Sequence, residues 1–201
     1  MINAGGVENN MKKIYLIHRW DGNPDSDWYP WLKKELQNKG FEIIIPEMPD
    51  TAEPKIDKWV SELKDVIKTV DEDTYFIGHS IGCQTIMRYL EKLPEKNKIA
   101  GAIFVAGWFK LANLEGAEVE EIAKPWLETP INLDNLNHKI KKLIVILSDN
   151  EPYDFIKENS EIFKEKLNAK IIIEKQKGHF TEDDGVTKLP IVLNKLLEML
   201  K

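Results

Sequence analysis

Cysteine is almost absent from this sequence. The single Cys83 cannot form an internal disulfide, which excludes a disulfide-stapled scaffold and fits a reducing compartment. No apolar run reaches the roughly 18 residues of a membrane-spanning helix, so no membrane is expected as a partner. Positive charge is also scarce. Lys and Arg number 28 against 34 Asp and Glu, a net charge of −6, so nothing in the balance favours nucleic acid or an anionic surface. Glycine and proline, 11 and 10 residues, are too few for a collagen-like or low-complexity chain. The sequence has neither a Walker-type Gly-Lys-Ser/Thr loop nor a Gly-x-Gly-x-x-Gly turn after its first apolar run, so no nucleotide cradle is visible and no cofactor is expected.

What is present is 201 residues, 42% of them hydrophobic, enough for one domain that buries about 70% of its unfolded surface without a staple. The first ten residues lack the basic and apolar regions of a secretion signal. They are read as a flexible leader, residues 1–10, ahead of a single domain over residues 11–201. A cytoplasmic location is the expectation.

Short apolar runs alternate with amphipathic stretches nearly to the end. Ile14–Ile17, Phe41–Ile45, Thr74–Ile77, Ile99–Ala106, Leu143–Leu147 and Lys170–Glu174 read as strands. Helical spacing fills Trp28–Lys39, a stripe of Trp59, Leu63, Val66, Ile67 and Val70, then Ile81–Leu93, Asp154–Leu167 and Leu189–Leu200. Strands alternating with helices imply an α/β fold, a three-layer αβα sandwich around a six-stranded, mostly parallel sheet with right-handed crossovers. Residues 107–139 break the rhythm. With Trp108, Pro125, Trp126 and Pro130 they read as a long binding loop or lid.

Gly78-His79-Ser80-Ile81-Gly82 fits Gly-x-Ser-x-Gly between a predicted strand and a predicted helix. A sharp strand-to-helix turn lifts a serine hydroxyl above the sheet edge, and the flanking glycines remove Cβ atoms that would clash. The bland reading is a serine N-cap with glycine spacers. A serine hydroxyl needs a base, and the base an orienting acid. In a sheet of this kind they follow in the order Ser, acid, His. His179, in Gly178-His179-Phe180 after the last strand, stands in the base position. Ser148-Asp149-Asn150-Glu151 follows the fifth strand and offers Asp149 and Glu151 as the acid, which spacing alone does not separate. Cys83 reads as a small core residue. His18 and His79 lack the carboxylate or cysteine partners of a metal site, and His79 is expected beneath the turn.

These segments resemble the small serine hydrolases of the retinoblastoma-binding protein nine family, over about Lys12 to Leu200. The marks are Ile17-His18, Trp28-Tyr29-Pro30-Trp31-Leu32, Pro46-Glu47-Met48-Pro49, the Ser80 elbow, Ser148-Asp149-Asn150-Glu151-Pro152-Tyr153 and Gly178-His179-Phe180. The resemblance implies a minimal α/β-hydrolase fold with little or no cap domain and strand order 2-1-3-4-5-6. It implies a carboxylesterase-like hydrolase of small esters, thioesters or activated amides, working through an acyl-enzyme on Ser80, Glu151 and His179. The family has Asp where this chain has Glu151, so Asp149 stands as the alternate acid. The oxyanion donors implied are the backbone N–H of Ile81 and one near Arg19 or Trp20; Arg19 replaces the family's usual glycine. His18 and Trp108 are expected in the substrate pocket, with Trp20 and Trp126 as further loop tryptophans near the same edge.

A small-molecule substrate, no metal, and a monomer or homodimer complete the reading. With only residues 107–139 to cover it, the site is expected to be shallow and open. The competing class is a protein-interaction module on a hydrolase scaffold.

Overall fold

The computed structural model describes residues 12–201, so the leader assigned to residues 1–10 lies outside the described residues. Six strands form one fully parallel sheet: β1 Lys13–Ile17, β2 Ile43–Ile44, β3 Thr74–His79, β4 Gly101–Val105, β5 Leu143–Ser148 and β6 Lys170–Glu174. Their order is β2-β1-β3-β4-β5-β6, as the resemblance implied.

Side chains alternate along each strand, so every strand feeds two cores. Ile14 and Leu16, Tyr75 and Ile77, Ile103 and Val105, and Ile144 and Ile146 pack under α1 (Tyr29–Gln37) and α7 (Pro190–Met199). Tyr15 and Ile17, Phe76, Phe104, Val145 and Leu147 pack on the other face under α2 (Ile56–Val66), α3 (Ile81–Glu91), α5 (Leu133–Lys139) and α6 (Ile156–Leu167). Both faces being covered is why the strands read as continuous apolar runs rather than alternating ones. Among the described residues no helix is long and apolar enough to cross a membrane.

Element ends moved where the backbone overrode the pattern. Only Ile43 and Ile44 of the expected 41–45 strand pair with β1, at the sheet's edge and just before Pro46. The stripe of α2 ran on to Ile67 and Val70, but Ile67 turns to φ −95°, ψ 100°, ending the helix while Ile67 stays in the core and the partly buried Val70 packs against it. Asp154 and Phe155 take left-handed φ values of 59° and 53°, so α6 starts at Ile156 rather than Asp154.

The expected lid at 107–139 is mostly helical. α4 (Ala117–Glu128) is an added element whose Trp126 is buried against Trp59 of α2, centroids 6.2 Å apart. α5 is ordinary scaffold within the β4-to-β5 crossover. Its Lys139 is fully buried and donates to the carbonyls of Leu90 and Leu93 at 2.9 and 2.6 Å, capping the end of α3.

Candidate active site

The carboxyl ends of β1, β3, β4, β5 and β6 lie side by side, and the loops leaving them carry the chemistry-bearing residues, as in open parallel sheets generally. The turn from β3 into α3 is the tightest. Ser80 has φ 53°, ψ −120° and makes no side-chain capping bond to α3, which removes the N-cap reading. Its N–H donates to the Val105 carbonyl at 2.9 Å, tying the turn to β4. Both glycines are required by close approach. A Cβ on Gly78 would sit 2.8 Å from the Cys83 backbone, and one on Gly82 only 2.2 Å from the Ile17 carbonyl oxygen. Cys83 itself is fully buried, and burial holds its thiol well above the ordinary range.

His179 follows β6. Its Nδ1 lies 2.7 Å from Glu151 Oε1, with the two side chains 12% and 9% exposed. A carboxylate there makes Nδ1 the donor, so the neutral ring carries its lone pair on Nε2. The edge of Tyr153 packs on the same ring, centroids 4.9 Å apart. The His179 N–H donates to Asp184 Oδ2 at 2.8 Å, so the acidic turn after the histidine is part of its support. Asp149, the alternate acid, faces elsewhere, its Oδ1 accepting the Gln176 N–H at 2.7 Å. Around it, Ser148 Oγ accepts from Lys177 N and Asn150 Oδ1 from Gly178 N, each at 2.9 Å. The acid's loop and the histidine's loop are thus laced together.

His79 lies beneath the elbow, fully buried, and burial first, then the neighbouring His179, lower its pKa to about 3. Its Nε2 donates to the His179 carbonyl at 2.7 Å, and its Nδ1 accepts from the Tyr29 hydroxyl at 2.6 Å. That hydroxyl in turn accepts the Arg19 backbone N–H at 3.2 Å. The Arg19 guanidinium meets Asp27 at 2.8 and 3.4 Å. Asp27 also accepts the Glu182 N–H at 2.9 Å. Burial pushes the Asp27 carboxyl up, but the Arg19 hydrogen bond, His79 and the Glu182 amide outweigh it and hold it below the ordinary range. Tyr29 reads from sequence only as part of a family mark and Asp27 carries no signal of a site role, since an Asp just ahead of a helix looks like turn chemistry.

His18, expected in the pocket, does not line it. The ring is fully buried, with Nδ1 2.8 Å from the Arg19 carbonyl and Nε2 accepting the Met48 N–H at 3.1 Å. Trp126 is likewise turned inward, donating to the Pro54 carbonyl at 2.9 Å. Trp20 and Trp108 do reach the cavity, which holds about 520 Å³ between Arg19, Trp20, Ser80, Ile81, Trp108 and His179. That volume is ordinary for a small-molecule site. α4 closes one side through Glu118 and Ile122, and the same two residues border a second cavity of about 770 Å³ floored by Pro54, Ile56, Pro125 and Trp126.

Comparison with known proteins places the chain in a family. The profile of the family described as "Serine hydrolase" matches residues 14–198. The YdeN protein of Bacillus subtilis is 30% identical over 188 residues, 92% of this chain and 94% of its own. The serine hydrolase RBBP9 of Rattus norvegicus is 25% identical over 174 residues, 86% and 88% of the two chains. The crystal structure of the B. subtilis ydeN gene product superposes with a TM-score of 0.85 at 29% identity, covering 94% of this chain and 98% of that one. Est1E from Butyrivibrio proteoclasticus, at 15% identity and a TM-score of 0.71 over 94% and 88% of the chains, shares the fold.

Proposed function

The chain belongs to the serine hydrolase family, and on that premise we propose that it cleaves small carboxylic esters, thioesters or activated amides through an acyl-enzyme on Ser80. The observation that carries this reading is the 2.7 Å contact of His179 with Glu151, made beside a cavity whose wall holds both His179 and Ser80.

In the proposed sequence His179 Nε2 takes the Ser80 proton as Oγ attacks the substrate carbonyl. Glu151 holds His179 in the required tautomer and stabilises the imidazolium. The developing oxyanion lies against the Ile81 N–H at the start of α3, where the helix dipole adds to the hydrogen bond. The second donor is the Trp20 N–H. The Arg19 amide, the other sequence-based candidate, is directed at the Tyr29 hydroxyl. His179 then protonates the leaving group, and water repeats the cycle to release the acid. The apolar wall of Trp20, Trp108 and Ile122 suits a small hydrocarbon acyl or alcohol group.

Ser80→Ala tests the assignment. It is expected to abolish both fluorophosphonate labelling and p-nitrophenyl acetate turnover, whereas undiminished labelling removes Ser80 from the mechanism. Wild-type protein that takes no label would favour an interaction module on the same scaffold.

A further inference from the structure

The indole of Trp108 directs its Nε1–H at Ser80 Oγ across 3.3 Å. The ring is 4% exposed and its segment is pinned from both sides. Gln84, one turn beyond Ser80 on α3, donates from Nε2 to the Trp108 carbonyl at 2.6 Å. Asn159 of α6 accepts the Phe109 and Lys110 N–H groups at 2.8 and 3.0 Å and donates to the Lys110 carbonyl at 2.9 Å. The chain enters this segment from β4 through Ala106 in the left-handed region, φ 48°. Non-glycine residues rarely adopt this region, so the bend that presents the indole to Ser80 is held against a backbone preference. A buried indole N–H seeks an acceptor, and the one that this segment offers it is Ser80 Oγ.

We propose that Trp108 is a catalytic residue, its indole N–H being the donor that orients the Ser80 hydroxyl and stabilises Oγ when it departs from the acyl group. This rests on Ser80 being the nucleophile. A hydroxyl oxygen has one hydrogen to give and two lone pairs to receive. With the indole on one lone pair, the Ser80 hydrogen remains free to be given to His179. In the acyl-enzyme Oγ is an ester oxygen and a weak acceptor. Water then adds to the acyl carbonyl, its proton passing to His179 Nε2. The C–Oγ bond breaks, its electron pair goes to Oγ, and the proton on His179 follows. Oγ carries most charge as that bond breaks, and a hydrogen bond to a charged acceptor is about twice as strong as a neutral one. The indole therefore binds this transition state better than the acyl-enzyme, the condition for accelerating the step.

The test separates the N–H from the ring. Trp108→Phe removes both donor and bulk, while Trp108→benzothienylalanine keeps the bicyclic shape with sulfur in place of the N–H. Each is mixed with p-nitrophenyl acetate, and decay of the acetylated Ser80 peptide is followed by quench and mass spectrometry. Both variants are expected to lose acetyl about tenfold more slowly than wild type, equivalent to 1.4 kcal/mol. Wild-type decay in the benzothienyl variant overturns the proposal, and if only Trp108→Phe is slow the ring acts by packing. Ser80→Ala is run alongside for fluorophosphonate labelling. Label retained there means the nucleophile itself is misassigned, which the Trp108 rates alone would not reveal.

Discussion

His79 donates its Nε2–H to the backbone carbonyl of His179 at 2.7 Å. The residue beside the candidate nucleophile thereby holds the main chain of the candidate base. Since a carbonyl only accepts, this bond fixes the tautomer, and the Tyr29 hydroxyl must donate to Nδ1. The chain of bonds from the Arg19 amide through Tyr29 and His79 to His179 spans the floor of the site with neutral groups. Asp27 Oδ2 lies 3.8 Å from His79 Nδ1, yet its pull is outweighed by burial and by His179, and the pKa falls to about 3.

That shift sets a pH dependence of stability. Above pH 6.5 the ring is neutral both folded and unfolded, and it contributes nothing. Below 6.5 the unfolded chain binds a proton that the folded chain refuses until about pH 3. Stability from this group therefore drains by about 1.4 kcal/mol per pH unit, up to roughly 5 kcal/mol in all. Asp27, held low by its partners, loses stability in the same acid direction. His79→Gln retains an amide able to donate to His179 but does not titrate. Urea unfolding between pH 7 and pH 4 is expected to show a shallower acid loss for that variant. An unchanged slope would mean that His79 takes up its proton inside the folded protein.

The second expectation separates the two acids. Glu151→Gln keeps the side chain's size but removes the charge opposite His179 Nδ1. It is expected to lower kcat on p-nitrophenyl acetate about a thousandfold or more, because the wrong tautomer is then tolerated and the imidazolium is unsupported. Asp149→Asn keeps an oxygen for the Gln176 N–H and should leave kcat within about threefold. A larger loss in Asp149→Asn would transfer the orienting role to Asp149.

The parts of this arrangement that were legible in the sequence are the local ones. Strand, Gly-x-Ser-x-Gly and helix are contiguous in the chain, so the steric reason for Gly78 and Gly82 could be stated without coordinates. The loop after each strand followed from the alternating pattern, which placed Glu151 and His179 at one sheet edge. What could not be read were contacts across long stretches of chain, such as Asp27 with the Glu182 amide, 155 positions apart. His18 misled because standing next to the end of β1 does not say which way a ring turns, and this one turns under the loop to Met48. α4 was hidden by Pro125 within the helix. Its real signal was Glu118 and Glu120 in the first turn, where acids favour a helix start.

Recognising α4 as a helix leads to the last expectation. Glu118 and Ile122 stand four positions apart, on one ridge of that helix, and both border the 520 Å³ cavity beside Ser80 and the 770 Å³ cavity floored by Pro54 and Trp126. Ile122 is half-buried, so its side chain forms part of the partition rather than of the core. Ile122→Ala removes three carbons from that partition and opens one space into the other. Each methylene buried against an apolar floor is worth about 0.8 kcal/mol. The variant is therefore expected to raise kcat/KM for p-nitrophenyl octanoate relative to the acetate by about fivefold or more, with the acetate rate little changed. A series of p-nitrophenyl esters of increasing acyl length measures this directly. If the two proteins give superimposable chain-length profiles, the acyl group does not run along α4 and the cavity beyond Ile122 plays no part in substrate choice.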